Sequence, residues 1–180
     1  MDKDTRITIL CEDPQHARFV RYFLEKYYGI ESRRITYKHH DKGKGSAEQW
    51  VRSNISKEVR ALRKRRSENI SLIVITDADT SSTITRRRQL MKELAESGEQ
   101  PLSGSDRISI FIPKRNIETW IHFLNGEDVD EIQDYKHVVD KSSCKLVVKS
   151  FARSCKSGTP LRENSPASLR ESCNTLQNIV

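Results

Sequence analysis

The sequence predicts an α/β protein: a mainly parallel four-stranded sheet flanked by helices, with a C-terminal helical extension. Three observations predict it. Short apolar runs alternate with longer segments whose apolar residues recur at helical spacing. The run Ser71–Thr76 (SLIVIT) is continuously apolar and β-branched, as a strand covered on both faces of a parallel sheet must be. The strand–helix order requires crossovers, and crossovers of one hand build parallel sheets.

The elements follow in order. Arg6–Cys11 (RITILC) places Ile7, Ile9 and Cys11 on one face and Leu10 on the other, a strand. Asp13 can cap a helix whose first residue is Pro14. That helix, Pro14–Tyr28, carries Phe19, Val20, Phe23, Leu24 and Tyr27 on one stripe, and Gly29 closes it. Arg33–Lys38 is a second strand. His39–Ser46 (HHDKGKGS) is a cationic loop, and Ser46 caps a polar helix over Ala47–Arg66. The cations at its far end, Arg63, Lys64, Arg65 and Arg66, complement the helix dipole. After the third strand comes a helix over Ser82–Ser97 with Arg86, Arg87 and Arg88 near its start. Arg107–Ile112 is the fourth strand, and Asn116 caps a helix over Ile117–Leu124. Beyond an acidic stretch, Glu127–Asp134, two helices are expected over Ser143–Lys156 and Pro166–Ile179. Residues 1–125 thus form the α/β core, and residues 126–180 an extension packed on it.

The composition narrows the function. The chain has 180 residues, 35% hydrophobic and 32% charged. No stretch approaches the ~20 apolar residues of a membrane span. The charged N-terminus does not read as a signal peptide, so a cytoplasmic protein is expected. Net charge is +7, unevenly placed: residues 1–90 carry 20 Lys/Arg and 12 Asp/Glu, residues 91–180 carry 12 and 13. A basic half suggests a polyanionic partner such as nucleic acid. Four cysteines without metal-site spacing are expected to be free and reduced, although their even number leaves room for a disulfide that nothing in the sequence asks for.

The chemistry sits at the strand ends. In parallel sheets ligands gather at the carboxyl ends of strands. Glu12 and Asp13 follow the first strand, Asp77 and Asp79 the third, and Glu118 lies in the first turn after the fourth. Converging carboxylates repel unless a cation joins them, and Mg²⁺ is the natural hard cation for oxygen donors. Such ions can clamp an in-line phosphodiester displacement. Each carboxylate also has a plainer reading: Asp13 and Asp79 as helix caps, Asp77 as a turn residue, Glu118 as a dipole partner. The GKGS loop lacks Walker A spacing, His39 and His40 read as solvated, and no serine sits at a nucleophile elbow.

The segments ILCED (Ile9–Asp13), LIVITDAD (Leu72–Asp79) and PKRNIETW (Pro113–Trp120) resemble the Toprim domain. The closer resemblance is to the overcoming-lysogenisation-defect (OLD) nuclease branch and small standalone bacterial Toprim-like proteins. It spans roughly residues 6–124, with a weaker echo in Ser165–Cys173. It implies a Rossmann-like Toprim sheet, Mg²⁺ or Mn²⁺ held by Glu12, Asp77, Asp79 and Glu118, and a metal-dependent nuclease acting on DNA or RNA, with DNA preferred. Lys114, then Arg115, are the candidates for the cation that completes the site. Lys42, Lys44, Arg63, Arg65, Arg66, Arg86, Arg87, Arg88 and Arg115 are candidates for the nucleic-acid backbone. The resemblance also implies an ABC-type ATPase supplied by a separate polypeptide and a setting in bacterial anti-phage defence; a homo-oligomer is left open, since the sequence does not give the oligomeric state. Asp13-Pro14 departs from the glycine that often follows the first Glu, and no topoisomerase or primase module is present. The alternatives are a non-catalytic nucleic-acid-binding or assembly subunit working with an ATPase, and a small-molecule phosphotransferase or hydrolase.

Overall fold

A computed structural model describes residues 3–41, 43, 45–137 and 144–177. Four strands, β1 (Arg6–Cys11), β2 (Ile35–His39), β3 (Ile70–Ile75) and β4 (Ile108–Phe111), form one all-parallel sheet in the order β2-β1-β3-β4. Between them run α1 (Pro14–Tyr27), α2 (Ala47–Lys64) and α3 (Thr83–Glu96); α4 (Ile117–Leu124), α5 (Cys144–Ser157) and α6 (Ala167–Gln177) follow. The architecture is a three-layer α/β sandwich compatible with a Rossmann-like fold.

The alternation of each strand decides what packs where. Ile7, Ile9, Cys11, Ile73 and Ile75 face α1, α4, α5 and α6. Leu10, Leu72, Val74 and Ile110 face α2 and α3. Every residue of β3 is buried, which explains its lack of polar alternation. The first crossover moves to one side of β1 and the next two to the other. With one crossover hand, that reversal places α1 on the opposite face from α2 and α3.

Local signals set the helix ends. The Asp13 carboxylate accepts the backbone N–H groups of Gln15 and His16, with Pro14 in the first turn. Gly29 follows the end of α1 with φ +72°, where a side chain would be strained. Ser46 and Asn116 cap α2 and α4 as their sequences suggest, whereas α3 is capped by Ser82, whose hydroxyl accepts the Thr85 N–H, and not by Asp79. Strand β2 begins two residues later than the sequence pattern, because Ser32–Arg34 form a 3-10 turn. The expected limits Ser143 and Ile179 of the last two helices lie outside the described residues.

The cysteine expectation needs correcting. Cys155 and Cys173 form a disulfide that ties α5 to α6. Their 18-residue separation carries no pairing signal; the two helices meet only through the fold. Cys11 and Cys144 are free and buried, and burial pushes both thiols up to about 12. Among the described residues no helix is long and apolar enough to cross a membrane.

The largest core junction is aromatic. Phe19 on α1 packs against Trp120 on α4 (5.5 Å between ring centroids) and Phe151 on α5 (6.1 Å). Phe19 is 1% exposed. Phe19→Ala is expected to destabilise the fold by about 3–5 kcal/mol, read as a lower urea midpoint at unchanged slope.

Candidate metal centre at the strand ends

The chain leaves β1 toward β2 on one side, while β3 lies on the other. The gap between the ends of β1 and β3 is therefore the topological switch point, where a parallel sheet opens a crevice. Cys11 is in register with Ile75, so Glu12 faces Thr76 and Asp77 across this gap. Glu12 Oε1 accepts the Thr76 hydroxyl and the Asp77 backbone N–H, both at 2.6 Å. The first carboxylate is thereby fixed to the strand that carries the second.

His16, one turn into α1, is the residue that sequence reading missed. Its Nδ1 lies 3.0 Å from Asp13 Oδ1 and its Nε2 2.9 Å from Asp77 Oδ1. A neutral imidazole has one N–H, and two ionised carboxylates need two donors. The two carboxylates flanking the ring favour its charged form, which bridges the helix cap and the buried aspartate. Burial works against that charge, but Asp77 and Asp13 outweigh it and raise His16 well above its ordinary value. The signal was present in the spacing: a histidine three residues after the cap lies over it on the same helix face.

Asp77 is 2% exposed. Burial pushes its carboxyl up to about 7, with His16 opposing and Glu12 and Glu118 adding to the rise. Asp13, partly buried, is nevertheless held well below the usual carboxylate range by His16 and by the backbone N–H groups of the helix start.

The loops after β3 and β4 run side by side beyond the strands. Thr76 N donates to Phe111 O, Ala78 N to Pro113 O and Asp79 N to Arg115 O. This brings the Asp77–Asp79 segment against the segment carrying Lys114 and Glu118. Asp79 takes a left-handed conformation, φ 53°, which aspartate tolerates better than most residues. Its side chain is more exposed than that of Asp77 and lies 3.4 Å from Arg86. Glu118 is buried, and its Oε2 has no hydrogen-bond partner among the described residues.

The cations are arranged differently from the sequence expectation. Lys114 does not point a free ammonium at the carboxylates; its Nζ donates to Ser81 O at 2.7 Å. Arg115 reaches toward Asp134 at 3.8 Å. Lys136, in the loop after α4, lies in the field of Asp77, Asp79 and Glu118. Partial burial disfavours its charge, but those carboxylates and Asp134 raise it above the ordinary lysine range. Only its place as a lysine closing an acidic stretch could have marked it.

Arg86 corrects another expectation. It is 5% exposed and cannot present itself to a nucleic-acid backbone. Its Nε donates to Asp77 O at 2.9 Å, its Nη2 reaches Ala78 O and Asp79 Oδ2, and its Nη1 pairs with Glu48. It supports the acidic loop from below. The spacing 86, 90, 94, shared with buried Leu90 and Leu94, places it on the inner face of α3.

Arg63, Arg65 and Arg66 lie at the opposite end of the sheet, because α2 runs back to the start of β3. That is about 20 Å from the carboxylates, one strand length. Arg63 is bidentate to Asp106 (3.1 and 2.8 Å), Arg65 pairs with Glu68, and Arg66 lies 3.6 Å from Asp106. Arg63 is thus a staple between α2 and the loop before β4. Arg87 and Arg88 face a cavity of about 670 Å³ beside β4, between α3 and α6. Lys42 and Lys44 lie outside the described residues.

Ligand atoms of Glu12, His16 and Asp77 all fall within 4.8 Å of one another, a spacing that could hold a metal ion. The oxygen donors of Glu12 and Asp77 suit a hard divalent cation; Asp79 and Glu118 do not fall within this group, and the buried Glu118 Oε2 remains without a partner among the described residues. Comparison of the sequence with known protein families and with curated proteins finds no match to either.

His16→Gln tests the imidazolium. A raised histidine contributes stability that is fully present below its unfolded pKa near 6.5 and is lost as pH rises through the folded value. In EDTA, wild type is expected to exceed the variant by about 1–3 kcal/mol at acidic pH. The gap, read by urea unfolding, should shrink as pH rises; a gap that widens would contradict the cationic assignment.

Proposed function

We propose that this chain is a divalent-metal-dependent nuclease of Toprim type, with its active centre at the β1/β3 switch point. The observation that carries this reading is the pairing of Glu12 with buried Asp77 across that gap, with Glu118 beside them. Three carboxylates in one cleft, one of them unpartnered on its buried side, favour a bound cation over an ordinary structural network. The motif resemblance at Ile9–Asp13, Leu72–Asp79 and Pro113–Trp120 falls on these same residues.

The residues divide the work. Glu12 and Asp77 would hold Mg²⁺ or Mn²⁺, with Glu118 and Asp79 completing the oxygen set. When bound, such an ion polarises the phosphodiester and supports attack by water. His16 is a positioning residue: with both nitrogens spent on carboxylates, it fixes the Asp77 side chain. Arg86 fixes the backbone under Asp77 and Asp79. Lys136 would neutralise charge on the phosphate. DNA, or RNA, is the polymer, and a separate ABC-type ATPase is the proposed partner in a defence setting.

One observation favours a second reading, a non-catalytic nucleic-acid-binding or assembly subunit. His16 already supplies a cation between Asp13 and Asp77, so the buried pair needs no metal to be stable.

Cleavage of plasmid DNA and labelled single-stranded RNA, with Mn²⁺, Mg²⁺ or EDTA, separates the two. Wild type is expected to cleave only with metal, and Asp77→Asn to lose about 10²–10⁴-fold while keeping its circular dichroism spectrum. Mn²⁺ binding followed by calorimetry should weaken in the same variant. Metal-independent cleavage, or full activity in Asp77→Asn, would overturn the nuclease reading.

A further inference from the structure

The open edge of β2 carries one exposed ring, with partly buried rings beside it. Tyr37 is 49% exposed, and its ring stacks on His39 at 5.8 Å with planes 23° apart. Around the end of the same strand, His40 meets the half-buried Trp50 edge-on at 6.2 Å. His40 is buried, and its Nε2 has no partner among the described residues. Tyr37 and His39 therefore lie on the edge strand itself, with Trp50 of α2 near its end, and among the described residues β2 has no strand on its outer side.

Tyr37 stands between two recesses. On one side it meets Ala17, Arg18 and Arg21 of α1. On the other, an open recess of about 390 Å³ is bounded by His39, Trp50, Asn54 and Lys57. That volume falls in the ~300–1,000 Å³ range of ligand clefts. Of the acidic groups nearby, Glu58 takes both of its contacts from Lys38 at 2.8 Å, Glu25 pairs with Arg21 and Lys149, and Asp41, which also lines the recess, is not without a partner. Arg18 and Lys57 are exposed and make no hydrogen bond or ion pair among the described residues. The balance at this edge is aromatic and cationic.

The edge is continuous with the carboxylate cleft. His40 N donates to Glu12 O at 3.3 Å, and Tyr37 lies three residues back along the strand, about 10 Å. A polymer whose phosphate sits at Glu12 and Asp77 would pass Tyr37 with a neighbouring nucleotide.

We infer that the β2 edge is a stacking platform for unpaired bases, so that the polymer at this site is single-stranded nucleic acid. A paired base hides its face inside the duplex, whereas an unpaired base offers it to Tyr37. Stacking on aromatic side chains, with cations tracking the backbone, is how single strands are held without sequence preference. The inference rests on the phosphodiester reading for its polymer, and its test does not depend on cleavage.

Binding is measured in EDTA by fluorescence anisotropy, using labelled oligonucleotides of roughly a dozen residues, DNA and RNA, as single strands and as duplexes. Wild type is expected to prefer single strands. Tyr37→Ala should weaken single-strand binding about tenfold or more and leave duplex binding unchanged. Tyr37→Trp should restore it, with quenching of the new indole on titration. Tyr37 is exposed on an edge strand, so both variants are expected to fold, as circular dichroism checks. No preference for single strands, an unchanged Tyr37→Ala, or equal loss on duplexes would overturn the platform. Metal-dependent cleavage lost in Asp77→Asn would still stand in that case; a failed cleavage assay would leave the binding result unaffected.

Discussion

An imidazolium held between two carboxylates organises the functional end of this protein. His16 is buried, and both of its nitrogens end on aspartates, one capping its own helix and one on the neighbouring strand end. Buried charge is costly unless paired and hydrogen-bonded. Here each partner makes the other tolerable: the cation permits Asp77 to be nearly closed off from water, and the two carboxylates permit the histidine to stay charged. The start of α1 is thereby locked against the end of β3, which sets the width of the switch-point crevice.

The rest of the site is built outward from that lock. Glu12 accepts two hydrogen bonds from the Thr76–Asp77 segment, so it cannot drift from its partner strand. The loops after β3 and β4 continue their pairing past the sheet, which carries Glu118 toward Asp77. Arg86 rises from α3 to take the carbonyls of Asp77 and Ala78. Acidic groups at the crevice are therefore held by backbone geometry as well as by charge.

The positive charge of the chain is divided by the fold into separate tasks. Arg63, Arg65 and Arg66 staple the far end of the sheet, where their carboxylate partners consume them. Arg86 is buried support. Arg18 on α1 and Lys57 on α2, beside the β2 edge, are among the exposed cations whose side chains have no partner among the described residues. A basic sequence thus becomes a molecule whose carboxylates gather at the β1/β3 strand ends while several of its arginines are spent on ion pairs elsewhere.

The strand–helix order, the parallel sheet, the caps at Asp13, Ser46 and Asn116, and the strand-end positions of Glu12, Asp77 and Glu118 were legible in the sequence, whereas the cap of α3 falls on Ser82 and not on Asp79. They follow from side-chain periodicity and from local hydrogen bonding, which act over a few residues. The role of Arg86 was half legible, in its spacing with Leu90 and Leu94, but a run of three arginines hid it. The role of His16 needed the distance to Asp77, 61 residues away in the chain. The sharing of the acidic field by Lys136, the disulfide between Cys155 and Cys173, and the removal of Arg63 to the opposite end of the sheet needed the fold as well. Local sequence determines which elements form and what chemistry they carry. Only the order of strands in the sheet decides which of those groups meet, because charge, burial and hydrogen bonding act through space between segments whose separation along the chain carries no such information.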